Sequence, residues 1–69
     1  MPAFFMKLNE IYMNKRDSTK RVKIIKLDKK GFTVETLDKT FQKTFKTKLQ
    51  KEAFFHYFMP VPKLLFELD

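Results

Sequence analysis

Residues 20–37 read KRVKIIKLDKKGFTVETL. Val22, Ile24, Ile25 and Leu27 are β-formers interleaved with Arg21, Lys23 and Lys26, the alternation of a strand with one covered face. The period slips at Ile24-Ile25, where two apolar residues adjoin, so a bulge or sharp bend is expected there. Asp28-Lys29-Lys30-Gly31 follows. Asp favours the first position of a type I turn, and the chain's single glycine stands where a left-handed residue would close a hairpin with a bulge. In the second arm Phe32 and Val34 face one way, Thr33 and Glu35 the other. The stretch predicts a hairpin between strands at Lys20–Leu27 and Phe32–Leu37.

Working outward, Asn14-Lys15-Arg16-Asp17-Ser18-Thr19 is a polar loop, since Asn, Asp and Ser side chains bond nearby backbone groups. Leu8 to Met13 reads as a first strand, with Ile11 and Met13 on one parity and Leu8 and Tyr12 on the other. On the far side, Leu37-Asp38-Lys39-Thr40 is a second turn. Thr40 to Lys46 then sets Phe41, Lys43 and Phe45 against Gln42, Thr44 and Lys46. A helix would also bring Phe41 and Phe45 together, but three threonines within Thr40–Thr47 favour a strand. Thr47 is placed to cap a short helix, with Gln50 as its capping-box partner. Along Lys48 to Tyr57 the spacing puts Leu49, Ala53 and Tyr57 on one face, with Phe54 and Phe58 beside it. Pro60 and Pro62 stop the helix and hold Met59 and Val61 extended. The expectation is a mainly β fold: a small antiparallel barrel or rolled sheet with one short helical turn near the C-terminus.

Asn9-Glu10-Ile11-Tyr12, the polar loop, Lys20–Leu27, Gly31-Phe32-Thr33-Val34 and the helical turn before Phe58-Met59-Pro60-Val61 come in an order that resembles small SH3-like barrel proteins. Many of these are encoded by phages and mobile elements of Gram-positive bacteria. The resemblance spans roughly residues 8–62 and lies in the order of elements and turns. It implies a five-stranded barrel that binds nucleic acid or a protein. The apolar ends, Met1–Met6 and Lys63–Asp69, fall outside it as extensions of a single domain, residues 1–69.

Composition limits what such a fold can do. Sixty-nine residues allow one domain, and the absence of cysteine excludes a disulfide framework or a thiolate zinc site. Nine phenylalanines compensate for a small core, because each ring buries roughly 150–250 Å². No run approaches the roughly 18 apolar residues of a membrane span, so no membrane partner is expected and the cytoplasm is the default location. Catalysis finds no support. Ser18 and His56 are the only serine and histidine, no nucleophile elbow surrounds Ser18, and one glycine cannot make a phosphate loop. His56 stands alone among aromatics and reads as a partly exposed residue on a helical turn. The expectation is no enzyme, catalytic residue, metal, cofactor or small-molecule substrate.

Charge is the informative feature. The chain carries a formal +7, and thirteen of its fifteen basic residues lie between Asn14 and Lys51 against four acidic ones. Arg16, Lys20, Arg21, Lys23, Lys26, Lys43 and Lys46 are the candidate contacts to RNA or DNA, joining into one stripe if the sheet curls. Lysine outnumbers arginine thirteen to two, so binding would track the backbone with weak sequence preference. The competing reading is a solvated coat that keeps a Phe-rich chain in solution. Phe41 and Phe45 flank Lys43. Exposed, they would be a stacking platform; buried, they are core, and the wholly polar opposite parity favours burial. Tyr12, beside the basic loop, is the other platform candidate, or else a core-edge tyrosine with a wet hydroxyl. Phe4, Phe5, Leu64, Leu65, Phe66 and Leu68 exceed the needs of a small interior. They either pack on each other or form an interface for self-association or a partner protein. The leading expectation is a non-enzymatic nucleic-acid-binding β-barrel. The alternative is a protein-interaction module or homo-oligomeric accessory protein of a phage or mobile element.

Overall fold

The computed structural model describes residues 6–62. Its elements run β1 (Ile11–Asn14), β2 (Arg21–Leu27), β3 (Phe32–Thr36), β4 (Gln42–Phe45), α1 (Lys48–Tyr57) and β5 (Phe58–Pro60). All strand pairs are antiparallel, and the one sheet has the order β4-β3-β2-β1-β5. The fold is mainly β with one short helix near its C-terminal end. Among the described residues no ladder joins β4 to β5, so barrel closure is not seen and the sheet has two edges.

The central hairpin forms as the alternation predicts, and the register shifts between Ile24 and Lys26, where the period slips. Val22, Ile24, Phe32 and Val34 are buried on one face. Asp28 accepts at one carboxylate oxygen from the backbone N–H groups of Lys30 and Gly31, both at 2.9 Å, and Asp28 N–H donates to Gly31 O at 3.0 Å. Gly31 differs from expectation in its reason. Its φ is not positive. Instead, a Cβ there would lie 2.0 Å from the Phe45 carbonyl oxygen, so glycine is needed because β4 passes close by. Among the described residues the left-handed positions are Asn9 (φ 69°) and Lys39 (φ 63°). Asn9 sits in a turn closed by Glu10 N–H to Lys7 O, which delays β1 to Ile11 and leaves Leu8 exposed.

The helix begins as predicted. Thr47 Oγ1 accepts from Gln50 N–H at 3.1 Å, and Gln50 Oε1 accepts from Thr47 N–H and Lys46 N–H. Its buried face is not the expected one. Leu49 is 78% exposed, and Ala53 and Tyr57 also face outward, whereas Phe54 is buried. The cause is tertiary. Phe58 caps α1 through its N–H to Phe54 O and is already the first residue of β5, paired with Asn14. With no intervening loop, the strand fixes the rotation of the helix. Phe54 is thereby placed among Tyr12, Phe32, Phe45, Phe55 and Phe58, with ring centroids 5.0–5.3 Å away. Tilted and offset rings of this kind add roughly 0.5–1.5 kcal/mol per pair beyond their burial.

Candidate functional site

Pair register sorts the basic residues between the two faces of the sheet. Residues directly opposite one another share a face. Lys23 stands between Ile11 and Glu35, and Lys26 opposite Thr33, on the face away from the core. Arg21 pairs with Met13 on that same face. Lys43 pairs with Val34 and so belongs to the core face, with its ammonium 5.2 Å from the centroid of the Phe45 ring. One stripe through every predicted cation is therefore not what the sheet builds. Instead, after the larger effect of the Gly31 and Lys30 N–H groups, the charges of Lys26 and Lys46 help to hold the Asp28 carboxyl below its ordinary value, and Arg16 lies exposed in the loop after β1.

On the core face the helix leaves one end of the sheet uncovered. Because α1 packs against β4 and β5, its rings close over Phe45 and not over the β3–β4 turn. An apolar groove of about 690 Å³ results, its floor made by Val22, Val34, Phe45, Phe54 and Phe58. Phe41 (58% exposed), Leu37 and Tyr57 (each 53%) stand on its walls, and Lys20, Arg21, Lys43 and Asp38 reach its lining. Phe41 departs from the expected burial although it shares parity with Phe45. It precedes β4 and is held in the turn, its N–H donating to Thr36 Oγ1 at 3.1 Å and its carbonyl accepting from Thr36 N–H at 3.0 Å. Phe45 is buried, so the two rings do not form one platform.

Tyr12 is a correction. It is 1% exposed and wedged against Phe54, which removes it as a stacking residue. Burial, aided by the negative charge of Glu10, pushes its hydroxyl pKa up to about 12. Tyr57 takes the exposed role that sequence reasoning gave to Tyr12. The helical spacing that grouped Tyr57 with Leu49 and Ala53 could have found it, had that face been recognised as the outward one. Phe4, Phe5, Leu64, Leu65, Phe66 and Leu68 lie outside the described residues.

The acidic side chains determine how free the cations are. Asp17 accepts from the Thr19 hydroxyl at 2.6 Å, and Asp38 from those of Thr40 and Thr36, each at 2.7 Å. Asp28 is bonded to backbone N–H groups, Glu10 accepts from Lys7 N–H, and Glu35 from Gln42. The Thr19 hydroxyl chiefly holds the Asp17 carboxyl below its ordinary value, the Gly31 N–H that of Asp28, and the Thr40 hydroxyl that of Asp38. With these acids bonded to hydroxyls, an amide and backbone N–H groups, no lysine ammonium among the described residues forms a hydrogen bond or ion pair. Arg21 donates from Nε to Ser18 O at 2.8 Å, which spends one of its five N–H donors.

Among the described residues no three metal-ligating side chains gather, and no helix is long and apolar enough to cross a membrane. His56 is exposed, edge-on to the Tyr57 ring at 4.8 Å. Comparisons with protein-family models, with curated proteins and with solved structures gave no match.

Proposed function

We propose that this chain is a non-enzymatic SH3-like module that binds nucleic acid through its backbone phosphates with little sequence preference. The observation that carries this reading is the release of the lysines, whose acidic neighbours are bonded to hydroxyls, amides and backbone N–H groups. A solvated coat needs only exposure. Phosphate binding also needs cations not held by internal hydrogen bonds or ion pairs, and among the described residues Lys20 and Lys43 stand so beside one apolar opening. The strand order, with its helix between β4 and β5, supports the SH3-like part of the proposal.

Fluorescence anisotropy with labelled single-stranded RNA, single-stranded DNA and duplex at two salt concentrations tests it. Two phosphate contacts predict a log–log salt slope of about −1.4 on a single strand. Failure to bind any of the three at low salt ends the reading.

A second reading, docking of a protein strand, is favoured by β4, which pairs on the β3 side only. Lys43 on this edge and Lys46 just beyond it are charges of the kind that discourage strand addition, which leaves the first reading ahead. Light scattering over a dilution series that detects a dimer would reverse that order.

A further inference from the structure

We infer that the groove between the β3–β4 turn and the end of α1 takes unpaired bases of a single strand, with Phe41 and Tyr57 as the ring contacts and Lys20 and Lys43 as the phosphate contacts. The inference rests on the nucleic-acid reading and specifies which site and which form of nucleic acid.

The first argument is the mismatch between the two rings and their surroundings. Every other aromatic on the groove is turned into the core, yet Phe41 and Tyr57 are more than half exposed. The Phe41 backbone is pinned by Thr36, and Tyr57 is held by its carbonyl, which accepts from Lys15 N–H at 2.8 Å. Their backbones are held at fixed stations, so only side-chain rotation remains to be ordered on meeting a flat ligand, which limits the entropy lost on binding. The volume, about 690 Å³, falls within the range of about 300–1,000 Å³ of ligand sites. The second argument is charge. Lys20 and Lys43 line the groove with one acid, Asp38, which is occupied by Thr36 and Thr40. The opening is therefore positive around an apolar interior, the arrangement that suits phosphates outside and bases within. A duplex keeps its bases stacked and paired, so it can meet the cations but not the rings.

An acidic, apolar peptide has the same complementarity of charge. The walls expose two rings, Phe41 and Tyr57, against one aliphatic side chain, Leu37, which favours bases over it, and the experiment separates them. A labelled oligothymidylate, a duplex of matched length and an acidic Leu/Phe-containing peptide are titrated into wild type, Phe41→Ala, Tyr57→Ala and Lys43→Gln. Phe41→Ala and Tyr57→Ala each lower single-strand affinity by about 5- to 150-fold and leave duplex affinity within about twofold. Lys43→Gln weakens both. Urea unfolding confirms that each variant is folded.

Tyrosine emission gives an independent readout. The chain has no tryptophan and two tyrosines, of which Tyr12 is buried, so quenching by oligothymidylate reports Tyr57 and vanishes in Tyr57→Phe while affinity is retained. If neither ring variant shifts single-strand binding, the inference is overturned although the nucleic-acid reading stands. If no nucleic acid binds, that reading fails first. If the peptide alone binds and Phe41→Ala abolishes it, the groove belongs to a protein and the inference is wrong.

Discussion

Replacing Gly31 with alanine tests the packing logic of the sheet because two accounts of this glycine predict opposite signs. Were glycine merely a turn residue of ordinary φ, alanine would reduce the freedom of the unfolded chain and raise stability by about 0.4–1 kcal/mol. The structure gives the other sign. The added Cβ meets the Phe45 carbonyl oxygen at 2.0 Å, and the Phe45 carbonyl carbon and Lys46 Cα at 3.0 Å. Carbon–oxygen contacts ordinarily settle at about 3.3–3.6 Å, so the chain at Phe45–Lys46 must retreat by more than about 1 Å. The obstacle is backbone and has no rotamer to escape into. Retreat strains the Phe32–Phe45 pair, whose rings stack at 5.2 Å, and the contact of Phe45 with Phe54 at 5.1 Å. Overpacking costs typically about 1–3 kcal/mol, and an immovable neighbour puts this case at about 3. A chain of this size has roughly 3–5 kcal/mol in hand. The melting temperature should fall by about 10–20 °C or more, measured by far-UV circular dichroism. A Gly31→Ala variant as stable as wild type, or more stable, would refute the close approach of β4.

Three further outcomes follow from other elements. Lys39 holds φ 63° at a cost of about 1–2 kcal/mol to a non-glycine residue, so Lys39→Gly should raise the urea midpoint, by a net of about 0.5–1 kcal/mol after glycine's extra chain entropy. A lowered midpoint would contradict the assigned turn. Thr47→Ala removes the acceptor for Gln50 N–H and should cost about 1 kcal/mol with a loss of helical signal; unchanged stability would argue against the capping box. Alkali should also destabilise the fold. Tyr12 keeps its proton in the folded state up to about 12 and loses it near the ordinary 10.0 when unfolded. The folded state then holds more protons, so stability present below pH 10 declines as pH rises toward 12, by about 1.4 kcal/mol per unit. The difference between wild type and Tyr12→Phe, followed by denaturant titration across that window, isolates the effect. A constant difference would mean that the hydroxyl is not buried.

Much of this molecule was legible one segment at a time. The central hairpin, its bulge at Ile24–Lys26, the Thr47–Gln50 cap and the end of the helix are set by interactions between residues a few positions apart, and alternation, turn chemistry and proline report such interactions directly. What depended on distant segments was not legible. Gly31 was correctly singled out but for a local reason, because the atom that excludes a side chain belongs to Phe45. The inward face of α1 is chosen by the pairing of β5 with β1, which no helical spacing encodes. Parity placed Phe41 with Phe45, yet only the extent of the helix decides that one is covered and the other faces the groove. Net charge likewise comes from composition alone. Which lysines stand together depends on which strands become neighbours, and on acidic side chains that reach their nearest hydroxyl or N–H before any ammonium.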